Sequence, residues 1–447
     1  MGLKSFVEVS ADSHFPLENL PYGVFQSKAA GGGNPAPGVA IGDFVLDLSV
    51  IASAGLFDGP LLKNSQCFNQ PSLNLFLEMG RPAWKEARAT IQRLLSDDEP
   101  ILRDNISLRN KSLLPMNEVE MLLPVVIGDY TDFFCSMYHT KNCGTIFRGP
   151  ENPIMPNWFH LPVAYHGRAS SVVISGTNIT RPRGQGHPTG SSLPYFGPTK
   201  KLDFELEMAA IVGPGNQLGK NIDVNEAYDH IFGLVLMNDW SGTTISPWIV
   251  TLEALEPFAC DPPKQDPHPF PYLAEKKHIN YDIPLEVWIK PAGQEQASVI
   301  TKSNFKHLYW TITQQLAHHT INGCNLRSGD LLGTGTISGP DRDSLGCLLE
   351  LTWNGQNQLS LNGSARSFLE DGDEIIITGR CEGKDYKIDF FVSTFLLLLL
   401  SFLTSASASV SAFAFSLKAA SESSKKIVPK MSYVTGYFII EFKIINF

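Results

Sequence analysis

Between Lys201 and Met208 the chain alternates strictly. Leu202, Phe204, Leu206 and Met208 are apolar, while Asp203, Glu205 and Glu207 are acidic. Period two is the period of a strand, so the three carboxylates share one face and the apolar residues share the other. Same-face neighbours stand roughly 6–7 Å apart, and at an effective dielectric of about 20 each adjacent pair repels by about 2–3 kcal/mol. Water and salt absorb that cost on an exposed face. A bound hard cation absorbs it equally well, because Ca²⁺ and Mg²⁺ prefer clustered carboxylate oxygens. On this segment alone both outcomes stay open.

Two more acids bear on the choice. Asp239 follows the apolar run Phe232–Met237, where a strand should end, and Asp132 lies seven residues before His139. Either can be a plain turn residue. Together with Glu205 and Glu207 they offer a four-carboxylate oxygen site, which suits Mg²⁺ or Ca²⁺ and does not suit zinc. His139 competes with His166, His318 and His319 for any acid–base role. Arg148, among glycine and aromatic residues, can bind a carboxylate or simply pack. The run GTGTISGP (333–340) offers hydroxyl and backbone donors but lacks the G-K-[ST] ending of a phosphate loop.

A chain of 447 residues exceeds one ordinary core and predicts two domains. With 43% hydrophobic and 18% charged residues it reads as a soluble globular protein. A net charge of −10 argues against nucleic-acid binding, which needs a basic footprint. The seven cysteines contain no CxxC pair, so neither a disulfide framework nor a zinc ribbon is expected, and a reducing compartment fits.

Residues 1–120 read as a small mixed domain for packing or assembly. A hairpin is expected within 38–51 around Gly42-Asp43, and a helix over 83–95. Residues 121–389 read as a mostly β domain, with strand-like runs at 170–177, 201–213, 281–289 and 346–353 and a helix over 307–320. The character changes after Asp389. Phe390 to Leu417 is 28 residues without a charge, diluted by serines. A membrane anchor is one reading, since ~20 apolar residues span a bilayer. The reading preferred over it is a tail outside the fold, of the composition a pyrimidine-rich non-coding stretch encodes.

The segments GDYTDFF…H (128–139), FRGPEN (147–152), PNWFHLPVAYHGRASSVVISGT (156–177), KLDFELEMA (201–209), FGLVLMNDWS (232–241), GTTISPW (242–248), 314–340 and FLEDGDE (368–374) together resemble the fumarylacetoacetase family, in order and over most of residues 1–389. The resemblance implies an α+β, mostly β fold: a small SH3-like N-terminal domain followed by a β-sandwich roll. It implies hydrolysis of 4-fumarylacetoacetate to fumarate and acetoacetate, the last step of tyrosine and phenylalanine breakdown, by a cytoplasmic homodimer. Asp132, Glu205, Glu207 and Asp239 would hold Ca²⁺ or Mg²⁺, with Thr243 near a second cation. His139 would activate water and Glu350 would orient it. Arg148 and Thr336 would contact substrate.

Three departures from the family pattern follow. Phe134 stands where some members place a substrate-contacting tyrosine. Ser241 joins Gly242 directly, whereas the family inserts a long stretch carrying an arginine, a glutamine, a tyrosine and a lysine of the active site. The ending after Asp389 is replaced. These departures predict an impaired hydrolase as the alternative to a working one, with a membrane-tethered homologue as a further alternative.

Overall fold

The computed structural model describes residues 3–10, 13–29, 32–187, 193–240, 243–384 and 386–396, with side chains described as far as Phe390. The Ser241–Gly242 junction and residues 397–447 lie outside the described residues. So, therefore, does most of the apolar tail.

The N-terminal part is a five-stranded antiparallel sheet. Its order is Leu113–Pro115, Phe44–Asp47, Ala36–Ile41, Tyr22–Ser27 and Val119–Leu122. The expected hairpin is present: Ile41 pairs with Phe44 across Gly42 and Asp43. Gly42 has φ +53°, a conformation open to glycine at little cost. The chain then turns into the helix Leu48–Ser53, because the Asp47 carboxylate accepts from the amides of Ser49 and Val50 and caps it. The expected helix over 83–95 runs Arg81–Leu95 and buries Ala83, Trp84, Ala87, Ile91, Leu94 and Leu95.

The larger part is built on a mixed sheet. Its order is Ala164–His166, Tyr130–Phe133, Leu331–Gly333, Leu206–Val212, Ile231–Asn238, Thr244–Ile245 and Val173–Ile174, with Val250–Thr251 also on Ile231–Asn238. An antiparallel sheet of Ser298–Asn304, Pro284–Lys290, Glu374–Glu382 and Lys387–Leu396 packs beside it. The architecture is mostly β with few helices. Among the described residues no helix is long and apolar enough to cross a membrane. The last strand continues past Asp389 to Leu396, and Phe390 is buried, so the fold takes up the first residues of the atypical ending.

The strand Leu206–Val212 is buried on both faces. Leu206, Met208, Ala210 and Val212 join the core shared with the four-stranded sheet, together with Leu202 and Phe204. Ala209 and Ile211 join a second core with Tyr22, Phe76, Trp84 and other residues of the N-terminal part. The apolar half of the 201–208 alternation thus lies where expected.

Two sequence expectations need correction. The run 346–353 is not a strand: Leu348–Leu351 is a short helix, because the Asp203 carboxylate accepts from the amides of Leu348 and Leu349, both at 2.7 Å. Those bonds satisfy N-terminal amides that a helix leaves open. The helix expected over 307–320 covers Ile312–Thr320. Thr311 and Gln314 form a reciprocal capping box that fixes its start.

The GTGT run links the central sheet to the site. Gly335 has φ +75°, and a Cβ there would sit 2.2 Å from the Phe133 carbonyl oxygen. A left-handed backbone costs an L-residue roughly 1–2 kcal/mol even without a clash. Gly335→Ala should therefore destabilise the protein by more than ~2 kcal/mol, read as a lower urea midpoint at unchanged slope. An unchanged midpoint would show that the turn has another conformation.

Candidate metal and catalytic site

Three strands deliver carboxylates to one place by the same rule. Along each, the residue on the face packed against the N-terminal part is apolar or aromatic and the next on that face is acidic. The steps run from Tyr130 to Asp132, from Ala209 back to Glu207, and from Met237 to Asp239. Asp132, Glu207 and Asp239 each offer an oxygen within 4.8 Å of the others. The strand lying between those of Asp132 and Glu207 carries Gly333 opposite Asp132, where a Cβ would sit 3.0 Å from Asp132 Oδ1. The glycine leaves the carboxylates room to meet.

Asp132 and Glu207 are buried. Asp132 Oδ1 and both Glu207 carboxylate oxygens have no hydrogen-bond partner. Asp239 is half-buried and better satisfied, accepting from Thr243 Oγ1 at 2.6 Å and Tyr165 Oη at 2.9 Å. Thr243 thus holds Asp239. Burial first, and then the neighbouring carboxylates, push Asp132, Glu205 and Glu207 well above the usual carboxylate range. Among the described residues no ion pair joins any of these acids to a lysine or arginine. Buried, unpartnered, all-oxygen donors of this kind fit a hard divalent cation.

Glu205 falls outside the tight group of three. It bridges to Cys347 through its backbone, and its amide donates to Asn238 Oδ1 at 3.0 Å. Its charge still couples to Asp239 and Asp132. Asp203 turns away to cap the helix that carries Glu350. Burial pushes its carboxyl up to about 7 despite three backbone hydrogen bonds.

The second half of the site is a buried histidine–carboxylate pair. His139 sits in the first turn of the helix Met137–Arg148, whose N-cap Ser136 accepts from its amide. Its Nδ1 lies 2.6 Å from Glu350 Oε2. Glu350 also accepts from Ser338 Oγ at 2.7 Å, Asn142 Nδ2 at 2.8 Å and Cys347 Sγ at 3.3 Å. Burial opposes the charged imidazolium. Cys143 and Glu350 act the other way and hold the His139 pKa well above its ordinary value. Burial keeps the Cys143 thiol protonated, so the Glu350 carboxylate carries that effect. Glu350 itself lies below the usual carboxylate range: burial opposes ionisation, but His139 and the hydrogen bonds outweigh it.

The competing histidines have other partners. His166 is exposed beside Asp129, His318 meets Tyr272, and His319 meets Thr131. Phe134 stands edge-on to the His139 ring, with ring centroids 5.1 Å apart. Thr336 is buried in the GTGT turn. Arg148 is exposed at its helix end and donates to the Pro153 carbonyl oxygen at 2.5 Å, a contact that does not bring it to the carboxylates. Sequence reasoning missed Tyr165, Asn142 and Ser338. Tyr165 pairs with Asp132 across the sheet and so shares its face, but a three-residue strand leaves too little alternation to announce it.

Two family models match the chain. The one described as Fumarylacetoacetase N-terminal matches residues 18–124, and the one described as Fumarylacetoacetate (FAA) hydrolase C-terminal matches residues 130–384. The fumarylacetoacetase of Arabidopsis thaliana is 68% identical over 412 residues, covering 88% of this chain and 97% of its own length. That of Homo sapiens is 53% identical over 410 residues, covering 86% and 96%. Since 88% of 447 residues is about 393, some twenty aligned positions of the Arabidopsis match have no residue here. A maleylpyruvate hydrolase structure from Sphingobium is a more distant likeness, at 14% identity and a TM-score of 0.46 over 85% of this chain and 99% of that one.

The raised carboxylate pKa values fix a sign. A carboxyl whose folded pKa exceeds its unfolded value binds its proton more tightly when folded. The stability it lends is present at low pH and is lost as pH rises through the folded value. Metal-free protein should therefore lose melting temperature as pH rises above the ordinary carboxylate range of about 4. An added divalent cation should restore it, most at the alkaline end. Asp132→Asn combined with Glu207→Gln should flatten both responses, and a cation response undiminished in that variant would refute the site.

Proposed function

The chain belongs to the fumarylacetoacetase family, hydrolases of carbon–carbon bonds, and we propose that Asp132, Glu207, Asp239, His139 and Glu350 are the residues with which it splits 4-fumarylacetoacetate into fumarate and acetoacetate. One observation carries the assignment. Three carboxylates, two of them buried, converge without a lysine or arginine partner among the described residues, and Glu205 beside them bridges by its backbone to Cys347, whose thiol lies against Glu350 of the buried histidine–glutamate pair.

Asp132, Glu207 and Asp239 would hold Mg²⁺ or Ca²⁺, with Glu205 adding charge from beside them. When bound, such an ion polarises the carbonyl oxygens of a β-diketone. Tyr165 and Thr243 keep Asp239 oriented through its two oxygens. Glu350, fixed by Ser338 and Asn142, holds Nδ1 of His139 and leaves Nε2 as the proton acceptor. Once neutral, His139 takes a proton from water as the water oxygen adds to the carbonyl carbon. The carbon–carbon bond then breaks, its electron pair goes to the acetoacetate carbon, and that carbon takes up a proton. Arg148 and Thr336 remain proposed substrate contacts, Arg148 after moving from its bond to Pro153. A homodimer and a cytoplasmic setting are proposed on the family resemblance alone.

Hydrolysis is followed as loss of the diketo absorbance. His139→Ala should lower turnover by roughly 10²–10⁴ with the fold intact. Because Glu350 raises the His139 pKa, the base becomes available only above the ordinary histidine range of about 6.5, and the acid limb of the pH–rate profile should lie there. Glu350→Gln should move that limb to lower pH while reducing the maximal rate. A limb that stays in place assigns the base elsewhere.

The twenty or so unmatched positions bear on rate. Grafting the relatives' stretch between Ser241 and Gly242 adds a lysine and other donors that the resemblance places in the active site. One preorganised donor is typically worth ~10²–10³ in rate. The grafted chain should be faster by at least that factor, and equal rates would show the stretch to be dispensable.

A further inference from the structure

Behind the histidine–carboxylate pair lie two cysteines that the proposed hydrolysis does not use. Cys347 is the N-cap residue of the helix Leu348–Leu351, and its Sγ lies 3.3 Å from Glu350 Oε2, three residues on. Cys143 is one helical turn beyond His139, and its Sγ lies 3.7 Å from Nδ1 and 3.6 Å from Nε2. Both are free thiols, and both are buried against Leu349, Phe134 and Ile146. His139, Cys347 and Glu350 each offer a donor atom within 4.8 Å of the others.

We propose that His139, Cys347 and Glu350 form a second cation site, selective for a thiophilic divalent ion of the Zn²⁺ or Cd²⁺ class, whose occupation sequesters the histidine. The donor chemistry separates it from the neighbouring carboxylates. A set of one imidazole nitrogen, one sulfur and one carboxylate oxygen is borderline-soft and favours zinc-like ions, whereas an all-oxygen set favours Mg²⁺ or Ca²⁺. The two separations from Glu350 are close to those required, and the third lies within 4.8 Å. Zn–N bonds of about 2.0–2.1 Å and Zn–S bonds of about 2.3 Å place tetrahedral ligand atoms roughly 3.3–3.7 Å apart. The Cys347–Glu350 separation of 3.3 Å already meets this, and the His139–Glu350 separation of 2.6 Å must widen by roughly 0.7 Å. The near-equal distances from Cys143 Sγ to the two ring nitrogens put that sulfur over the ring face, as a wall of the site, and leave the fourth position to water.

Binding releases the Cys347 thiol proton. The imidazolium form of His139 also releases its Nδ1 proton, whereas in the neutral form that proton moves to Nε2. Nε2 ends protonated either way, and the His139–Glu350 hydrogen bond is exchanged for two bonds to the ion. The inhibitory consequence rests on the reading of His139 as the base; the binding does not.

The full chain is titrated with Cd²⁺ under saturating Mg²⁺, which fills the carboxylate site, while the ultraviolet thiolate-to-cadmium band and hydrolysis are read together. One equivalent per chain should develop the band, and turnover should fall to below about a hundredth, as expected when a positioned base is removed. Cys347→Ser should abolish the band, and Glu207→Gln should keep it. Cadmium NMR of the unsubstituted chain should give a resonance of mixed sulfur, nitrogen and oxygen ligation, which tests the site even if Cys347→Ser does not fold. An all-oxygen resonance, or a band that survives Cys347→Ser, overturns the site. A saturated band with turnover intact overturns the inhibition together with the role of His139 as base.

Discussion

The mutual repulsion of Asp132, Glu207 and Asp239 is the constraint around which the rest of this structure is arranged. Three carboxylates with oxygens within 4.8 Å of one another cannot all ionise in a buried place without a compensating cation. Flexible loops would relieve the strain by parting. Here the acids sit on or at the ends of strands of one sheet, and Leu206–Val212 is packed on both faces between two cores. The apolar packing supplies the stiffness, and the acids occupy the point where one apolar face runs out. The N-terminal part thereby acquires a role in the chemistry without contributing a site residue. It covers the apolar face whose acidic end is the site.

Glu350 is the second fixed point. It accepts from Ser338, Asn142 and Cys347 as well as pairing with His139, and its four-residue helix is capped by Asp203. Two acids from one alternating segment therefore serve opposite halves of the site. Glu207 faces the carboxylate cluster, while Asp203 steadies the helix whose Glu350 pairs with His139. That division works because the strand begins only at Leu206, so Asp203 is free of the sheet's alternation.

This arrangement explains which parts were legible in the sequence. Period-two alternation is strong across 201–208, and it correctly separated Leu202, Phe204, Leu206 and Met208 from the acids. It could not show that Asp203 leaves the common face, since that depends on the approach of residues 347–350 from far along the chain. Within LLELTW a four-residue helix is too short to display a period, so the run reads as a strand. Glu350 entered only through the family resemblance. The helix start at Ile312 was written in the sequence, as the pair Thr311 and Gln314, but the apolar residues before it obscured the cap. Tyr165 and Ser338 carry no local signal at all: sheet register and a turn bring them to the site.

Charge balance sets the final constraint on the site. With Asp132, Glu205, Glu207 and Asp239 all ionised, one divalent cation leaves two negative charges in excess. Among the described residues no lysine or arginine pairs with them, and Arg148 is exposed and bound to the Pro153 carbonyl. An excess of that sign strengthens the hold on a cation and works against a substrate that is itself a carboxylate. A fixed lysine beside the cluster, of the kind the resemblance places in the stretch absent after Ser241, would relieve the second effect without undoing the first. Mobile ions relieve it too, but they screen an exposed charge far better than a buried one. Cation binding and turnover are therefore separable here. The sheet alone is enough to assemble the carboxylates, while efficient use of an anionic substrate depends on positive charge supplied from outside it.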